Sequence, residues 1–283
     1  MRLLFFENTC LPYAKAIMDG IRCHGDRVAG RRPERWRPEE FEGGFDAVIV
    51  TGAQPIDRTI AEAYNAAGVP VSIIELGHIR RCNDKFRATD DDYLQWVWGG
   101  LNSLPAGPCP DDRRLALGIE KPRLNRKQDG HILVLGQKPG DGQHDIEDMP
   151  AWWRETRNRI AQHTSRPIVF RRHPKDRTPF AKYDGLDSSV MTLEYAFDNA
   201  WACVTCNSNA GLKALLHGLP VFCHPGASYA GIANTDLASI ETPHIARKAE
   251  WCAFINCVCY AQWNLDEFRD GTAWGYVKSC LAS

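Results

Sequence analysis

An asparagine–serine pair, Asn207 and Ser208, lies between a short apolar run and a helical pattern in the segment WACVTCNSNAGLKALLHGLPVFC, residues 201–223. A helix that begins at this pair presents unpaired backbone N–H groups and the positive end of its dipole at its first turn. Such a terminus binds anions, phosphate among them. Asn207 and Ser208 are therefore candidate ligands of a phosphate group.

A glycine-containing loop follows another apolar run in the same half of the chain. Gly136 and Gln137 come directly after HILVL, and Asp141 closes the loop GQKPGD. Glycine lets a backbone approach a phosphate or a sugar closely. The loop has neither the Gly-Lys-Ser/Thr ending of a Walker A motif nor the spacing GxGxxG. Taken alone, an ordinary strand-to-helix turn explains it better.

A histidine–proline pair ends a third apolar run, where Arg172 and His173 precede Pro174. A histidine at this place can donate a hydrogen bond to a phosphate oxygen, and the neighbouring arginine adds positive charge. A surface histidine before a proline is also common without any function. Together the three segments indicate a ligand site more strongly than each does alone, because ligands of open α/β sheets bind at the carboxyl ends of the strands.

The elements that would position these residues alternate in both halves of the chain. Short apolar runs separated by helical patterns predict parallel sheets with helices on both faces, an α/β fold class. In the first half we predict strands at 2–6, 46–51 and 70–75 and helices at 12–23 and 57–67. In the second half we predict strands at 131–136, 167–171, 201–205 and 219–223 and helices at 151–163, 208–217 and, in outline, 243–260.

The domain boundaries are predicted from a polar, proline-bearing stretch that runs from 105 to 130. A chain of 283 residues is long enough for two α/β domains of ordinary size. We predict a Rossmann-like N-terminal lobe over 1–128 and a Rossmann-like C-terminal lobe over 129–262. A tryptophan-rich tail over 263–283 is expected to pack back on the lobes.

The composition, with 44% hydrophobic and 24% charged residues, is that of a folded globular protein rather than a disordered one. A net charge of -1 offers no general attraction to nucleic acid. No run approaches the roughly 20 apolar residues of a membrane span, and the start MRLLFFENTC does not fit a secretory signal. We expect a cytoplasmic protein, or one of the host cytoplasm if a phage encodes it, with reduced cysteines.

Four ordered segments resemble a region of the bacterial capsule Kdo transferases. In that family a GQ-x-x-x-D loop, an HP motif, a T-x-S-x-x-G-x-E-A-L-x-x-G-x-P-V segment and a YAG sequence follow one another. The corresponding segments here are GQKPGD, RRHP, TCNSNAGLKALLHGLPVF and GASYAG, mainly within residues 131–235. The family consists of GT-B glycosyltransferases, so the resemblance implies two Rossmann-like lobes with a cleft between them.

The resemblance also implies a donor site for a nucleotide sugar, UDP- or CMP-linked, in the second lobe. The enzyme's physical task is to stabilise negative charge on the departing phosphate, which hydrogen-bond donors and a helix terminus achieve without a metal ion. We therefore expect no metal. The residues that the resemblance and the charge pattern place at the donor are Gly136, Gln137, Asp141, Arg172, His173, Asn207, Ser208, Tyr229 and Gly231.

The first half of the chain offers a candidate catalytic carboxylate. Residues 74–80, IELGHIR, resemble the family's EDGFxRS, but Leu76 stands where the family has aspartate, so the family's detailed chemistry does not carry over. Glu75 is the candidate general base that deprotonates an acceptor hydroxyl, and His78 is the second candidate. A structural role, in which Glu75 is a strand-end acid paired with Arg80 or Arg81, is nearly as good an explanation of this residue.

The segment FRATDDDYLQWVWGGLN, residues 86–102, combines an acidic run with Tyr93, Trp96 and Trp98. Aromatic rings stack on sugars and on bases, so we assign these three residues, with Arg80, to the acceptor site. Core packing is the simpler explanation of the aromatic residues. The compact chain resembles phage-type enzymes that glycosylate DNA, which makes a flipped-out hydroxymethylated pyrimidine of double-stranded DNA the favoured acceptor.

Two other functions remain open from the sequence. One is a capsule or surface polysaccharide glycosyltransferase similar to the Kdo transferases. The other is a non-catalytic sugar-nucleotide binding protein, which the leucine in place of the family's aspartate suggests. An epimerase or dehydrogenase is disfavoured, because no glycine fingerprint follows the first predicted strand.

Overall fold

The computed structural model of the protein describes residues 1–8, 11–81, 89, 91–140 and 142–281. Its strands are β1 (Arg2–Phe6), β2 (Arg27–Arg31), β3 (Ala47–Thr51), β4 (Val71–Leu76), β5 (Leu94–Trp98), β6 (His131–Leu135), β7 (Ile168–Arg171), β8 (Leu186–Asp187), β9 (Ala200–Thr205), β10 (Val221–Phe222) and β11 (Gln262–Trp263). Its α-helices are α1 (Leu11–Cys23), α2 (Pro55–Ala66), α3 (Asp112–Ala116), α4 (Met149–Ala161), α5 (Leu193–Asp198), α6 (Asn209–His217), α7 (Lys248–Tyr260), α8 (Leu265–Arg269) and α9 (Thr272–Leu281).

The chain divides into two compact units at places other than the predicted boundaries. Unit 1 comprises Met1–Arg114 and Ile255–Ser283, and unit 2 comprises Leu115–Phe254. The segment before β6 belongs to unit 2 because it is bonded to that sheet through its backbone. Asn125 N donates to Gly218 O at 2.9 Å, and Lys127 N donates to Ala200 O at 2.9 Å.

Unit 1 is built on a sheet with the strand order β11-β5-β4-β3-β1-β2 among its described residues. The strands from β1 to β4 are parallel, as the buried runs in the sequence predict, whereas β5 runs antiparallel to β4 and β11 antiparallel to β5. The sequence analysis missed β2, an edge strand of sequence RVAGR whose side chains are mostly exposed.

The C-terminal tail completes the core of unit 1. Phe268 and Trp274 are buried in one cluster with Leu3, Phe5 and Tyr13 of the N-terminal elements. This burial explains why residues beyond 254 belong to unit 1 rather than to a lobe ending at 262.

A buried aspartate, Asp26, fastens the tail to the start of the chain. Trp274 Nε1 donates to Asp26 Oδ2 at 2.7 Å, and Lys278 Nζ donates to the same oxygen at 2.8 Å. The tail is therefore held by polar contacts as well as by its aromatic core.

Unit 2 is built on a parallel sheet with the order β10-β9-β6-β7-β8 among its described residues. The chain moves from β6 outward to β7 and β8, then starts again beside β6 at β9 and moves the other way. Because such crossovers are right-handed, α4 and α6 lie on opposite faces of the sheet. The strand order therefore reverses between β6 and β9, which is the place where open α/β sheets bind ligands.

None of the helices in the described part of the chain has the length and apolarity that a membrane span requires.

Candidate functional site

The predicted donor segments of unit 2 share one edge of the sheet. Leu135, the last residue of β6, is paired with Arg171 of β7 and with Thr205 of β9, so the residues that follow all three strands lie side by side. Neighbouring strands are about 4.8 Å apart, which puts the ends of β7 and β9 about 10 Å from each other. We call this edge the strand-end site, made of Gly136, Gln137, Arg172, His173, Asn207 and Ser208.

Gln137 and Asn207 bridge the reversal point between β6 and β9. Gln137 Nε2 donates to Asn207 Oδ1 at 2.7 Å, and the Asn207 backbone N–H donates to Gln137 Oε1 at 3.0 Å. Asn207 Nδ2 in turn donates to Gln143 O at 2.6 Å. Gln137 is only 5% exposed, so it is a positioning residue for Asn207 rather than the direct donor contact that the sequence predicted.

The glycine of this loop also has a packing role. A Cβ atom at Gly136 would lie 2.7 Å from Cζ of Phe170, so any side chain would displace the ring of the neighbouring strand. The sequence assigned Gly136 to the donor because glycine admits a close ligand. In the structure, the absence of a side chain is already required by the contact between β6 and β7.

Helix α6 begins where the sequence predicted, with Ser208 as its N-cap. Ser208 Oγ accepts from Ala210 N at 3.2 Å, and the helix ends at Gly218, whose φ of +89° is left-handed. The backbone N–H groups of the first turn therefore point toward the carboxyl edge of the sheet. The helix terminus that the sequence predicts at this place is present in the fold, and its binding of an anion stays a prediction.

A buried tyrosine supports this helix terminus. Tyr229 OH donates to Ser208 O at 2.7 Å, and a Cβ atom at Gly211 would lie 2.3 Å from that hydroxyl. Tyr229 is 1% exposed, and burial raises its pKa well above the ordinary value, so it stays a protonated donor. Its observed contact is with Ser208, whose position it supports, while Gly231, the other residue predicted from the same motif, has open space around it.

The His-Pro motif supplies an oriented histidine. The backbone N–H of Lys175 donates to His173 Nδ1 at 3.0 Å, so the neutral ring carries its proton on Nε2. Arg172 is held by Asp187, whose Oδ2 accepts from its Nε at 3.2 Å, and by the carbonyl of Thr178. Both side chains are partly exposed. Asp141, also predicted at the donor, lies outside the described residues.

A second His-Pro motif, which the sequence analysis missed, follows β10. The backbone N–H of Gly226 donates to His224 Nδ1 at 3.1 Å, the same arrangement that orients His173. The repeat of His-Pro directly after an apolar run was the signal that could have identified it. Unlike His173, it follows the outermost strand of the sheet and not a neighbour of the reversal point.

Two cavities open near this edge. The larger has a volume of about 600 Å³, and Pro139, Asp148, Arg154, Thr178 and Lys182 are among its lining residues. That volume falls within the range of small-molecule and cofactor sites. The smaller, of about 140 Å³, lies between α4 and the ends of β9 and β10 and is too small for a nucleotide.

In unit 1, Glu75 lies at the end of β4 next to a rigid loop. Its Oε1 accepts from the backbone N–H of Leu76 at 2.9 Å. The loop that follows is fixed because Gln262 Oε1 accepts from the backbone N–H groups of His78 and Ile79 at 2.9 and 2.8 Å. Arg80 has a left-handed φ of +52°, and it is exposed.

His78, the second candidate base, is buried. It is 4% exposed, and burial, with Arg81 as a smaller cause, lowers its pKa to about 4. The ring is therefore neutral at pH 7 and a weak base, enclosed by the protein. This corrects its assignment to catalysis.

Two of the predicted acceptor aromatics are buried, which corrects their assignment. Trp96 is 1% exposed, stacks on Phe268 and Trp274 with centroid distances of 5.7 and 5.4 Å, and donates to Ser72 Oγ at 3.0 Å. Tyr93 is 8% exposed. Trp98 is partly buried against the same core, and its Nε1 donates to the carbonyl of a residue in α9 at 2.6 Å.

No group of three histidine, cysteine or acidic side chains in the described ranges is arranged as a metal site.

Comparison with known proteins decides the family. Residues 114–258 match the family described as capsule polysaccharide biosynthesis protein. The chain belongs to this family. No curated protein matches the sequence significantly.

Two solved structures resemble this chain over most of its length. The KpsC beta Kdo 2,4 transferase of Thermosulfurimonas dismutans has 15% identity and a TM-score of 0.59, covering 91% of this chain and 90% of that chain. The KpsC beta Kdo 2,7 transferase of the same organism has 16% identity and a TM-score of 0.57 with the same coverage. At this identity the likeness shows the fold, a GT-B-like arrangement with two Rossmann-like sheets.

Family membership confirms the resemblance to capsule enzymes and the α/β fold class that the sequence predicted. The DNA acceptor that the sequence analysis favoured has no support in these comparisons. The alternative, a surface polysaccharide enzyme, fits them better.

Proposed function

We propose that the protein is a glycosyltransferase that moves a sugar from a nucleotide-sugar donor to a saccharide hydroxyl in the synthesis of a capsule or surface polysaccharide. One observation carries the proposal: the Gln137–Asn207 hydrogen bonds and the Ser208 cap join the predicted anion-binding segments at the reversal point of the unit 2 sheet. Membership of the capsule family supports the saccharide acceptor.

The strand-end site suits the leaving phosphate of a UDP- or CMP-linked sugar. Transfer breaks the bond between the anomeric carbon and a phosphate oxygen, and negative charge grows on that oxygen. The positive end of the α6 dipole and the Nε2–H of His173 stabilise this charge, and Arg172 adds a cation held in place by Asp187. These groups stabilise the departing nucleotide without a metal ion.

Glu75 is the proposed general base. It would take the proton of the acceptor hydroxyl as that oxygen bonds to the anomeric carbon. Its carboxylate is oriented by the Leu76 N–H. The loop after it packs closely on Tyr93 at Gly77, where a Cβ atom would lie 2.5 Å from the carbonyl oxygen of Tyr93. Arg80, in the same loop, is the remaining proposed acceptor contact.

A transfer assay with both acceptors tests this function. The purified protein is incubated with a panel of UDP and CMP sugars, together with a saccharide primer and a duplex DNA that contains hydroxymethylated pyrimidine. We expect the mass of the primer to rise by one sugar and the DNA to stay unchanged. Modified DNA with an unchanged primer would overturn the saccharide acceptor and favour the DNA enzyme.

Leu76 stands where the Kdo transferases have aspartate, and this difference favours a second candidate function, that of a non-catalytic sugar-nucleotide binding protein. The same assay separates it from an enzyme. Binding of a nucleotide sugar without transfer and without slow hydrolysis of the donor would support the binding protein. Hydrolysis that is lost in Glu75→Ala would contradict it.

A further inference from the structure

A cluster of thiols in unit 1 has no part in the proposed transfer. Cys109 lies in the segment before α3, Cys257 in the last turn of α7, and Cys280 in α9 with Tyr276 one turn before it. All three cysteines lie outside disulfides and are partly exposed. A reagent can therefore reach them in the folded protein.

The sulfurs of Cys109 and Cys257 share their surroundings. Cys109 Sγ lies 3.8 Å and Cys257 Sγ 3.6 Å from the same acceptor, the carbonyl oxygen of Gly107. The Tyr276 hydroxyl lies 3.3 Å from Cys109 Sγ. The two sulfurs therefore lie beside one carbonyl oxygen, in one cluster of side chains.

The backbones that carry these thiols are held together by other groups. Asn256 Nδ2 donates to Cys109 O at 3.3 Å, and Asn256 Oδ1 accepts from Arg114 Nε at 2.8 Å. Asn256 is 8% exposed, so these bonds are shielded from water. The proximity of the two thiols therefore does not depend on the sulfurs alone.

The surroundings favour ionisation of Cys257 over that of Cys109. The nearby Cys109 thiol lowers the pKa of Cys257, although burial opposes the shift, and the same interaction raises the pKa of Cys109. Loss of the Cys257 proton leaves a thiolate beside a thiol. A thiolate beside a thiol is the arrangement from which a disulfide forms.

We propose that Cys109 and Cys257 are a redox-reactive pair that a hydroperoxide oxidises to a disulfide. The Cys257 thiolate attacks the peroxide O–O bond, giving a sulfenic acid and an alkoxide that takes up a proton and leaves as the alcohol. Cys109 then attacks the sulfenic sulfur, the S–S bond forms, and the hydroxyl leaves with the proton of Cys109 as water. The two thiols lose two electrons, and the hydroperoxide is reduced by two.

Oxidation would act on the connections between the units and not on the strand-end site. Cys109 lies shortly before the boundary at Arg114, and Cys257 lies shortly after the boundary at Phe254. A disulfide between them would cross-link the two stretches of unit 1 from which the chain enters and leaves unit 2.

Peptide mapping of the unchanged full chain tests the pair. The protein is treated with hydrogen peroxide, the remaining thiols are blocked with N-ethylmaleimide, and the digest is analysed by mass spectrometry. We expect one dominant cross-linked peptide that joins Cys109 to Cys257 and has lost two hydrogen atoms. A dominant link to Cys280, or over-oxidised thiols without any link, would overturn the proposal.

Serine variants sharpen the test. The cross-link should disappear in Cys109→Ser and in Cys257→Ser and persist in Cys280→Ser and Cys252→Ser, where Cys252 is a partly exposed cysteine of the same helix. With limiting maleimide at pH 7, we expect Cys257 to be alkylated several-fold faster than Cys252, and Cys109→Ser to remove that advantage. Equal rates in the unchanged protein would contradict the thiolate.

Discussion

The two units differ in how well the sequence predicts the contacts of the residues at their strand ends. The strand ends compared are that of β4 in unit 1 and those of β6, β7 and β9 in unit 2. In unit 2 the polar residues after the strands meet at one edge, and two of them, Gln137 and Asn207, hydrogen bond to each other. In unit 1 the residues after β4 form a rigid loop, but Tyr93 and Trp96, two of the aromatics assigned with them, are buried. A residue after a parallel strand is placed by topology, whereas a residue within a strand is placed by what packs on it.

The tail accounts for this difference. Trp96 of β5 stacks on Phe268 and Trp274, which lie more than 150 residues further along the chain. Nothing in the local sequence of β5 indicates which layer will cover it. In unit 2 the reversal of strand order defines the ligand edge by itself.

The largest expected effect tests whether the edge in unit 1 has a chemical role. Glu75→Gln removes the proposed base but keeps the shape of the side chain, so we expect the turnover rate to fall by about 10²–10⁴-fold with an unchanged Kd for the nucleotide. Steady-state kinetics and titration calorimetry measure the two quantities. Glu62→Gln, an exposed acid on α2, is the matched control. Full turnover in Glu75→Gln would leave unit 1 without its proposed catalytic residue.

The support of the unit 2 edge is tested at Gly211. The Cβ atom of Gly211→Ala would meet Tyr229 and break its bond to Ser208, so we expect the free energy of unfolding to fall by about 3 kcal/mol and the nucleotide affinity to fall with it. Thermal or urea unfolding and calorimetry check both. Gly231→Ala, in open space, should leave the free energy of unfolding unchanged. An unchanged Gly211→Ala protein would show that Tyr229 does not hold the helix start.

A substitution of Trp96 tests whether this residue belongs to the core or to the acceptor site. Trp96→Phe leaves Ser72 Oγ without its donor in a buried place, so we expect the free energy of unfolding to fall by about 2 kcal/mol and the acceptor KM to stay unchanged. Chemical unfolding and kinetics with a saturating donor measure these. A raised KM with unchanged stability would restore the sequence-based acceptor assignment.

The smallest effect concerns the attachment of the tail through Asp26. Burial would raise the pKa of Asp26, but the bonds from Lys278, the N-terminal ammonium and Trp274 outweigh it and lower the pKa to about 2. Because the folded value lies below the ordinary value of 3.8, the stabilisation is present above about pH 4 and is lost as the pH falls through 2.

In Asp26→Asn the free energy of unfolding at pH 7 should therefore fall by about 1 kcal/mol. The loss is modest because the Lys278 ammonium is partly exposed. The variant should also show a flatter dependence of the melting temperature on acid pH. Identical acid profiles for the two proteins would mean that this contact does not fasten the tail.

Much of the fold follows from the sequence because buried parallel strands are continuous apolar runs. β1, β3, β4, β6, β7 and β9 lie within a residue or two of their predicted positions. The antiparallel strand β5 and the edge strand β2 were missed, since one depends on the distant tail and the other carries a mostly exposed sequence. The unit boundaries also depend on contacts between segments far apart in the chain.

The sequence predicted which strand ends lie together in the candidate site, but not which contacts the individual side chains make there. The sequence placed Gln137 and Tyr229 at the donor, and the structure gives them to Asn207 and Ser208 as hydrogen-bond partners. Which side chain faces a ligand and which faces a neighbour depends on pairings between residues many positions apart. A strand–helix pattern locates an edge and does not resolve such pairings.

The claim that unit 2 binds a nucleotide phosphate beside the reversal point is tested most directly by its two histidines. Calorimetric titration of UDP and CMP into the unchanged protein, His173→Ala and His224→Ala compares two similarly oriented rings at different strand ends. We predict that at least one nucleotide binds the unchanged protein and His224→Ala alike, and His173→Ala at least about tenfold more weakly. Equal affinity in His173→Ala, or a loss confined to His224→Ala, would contradict the account.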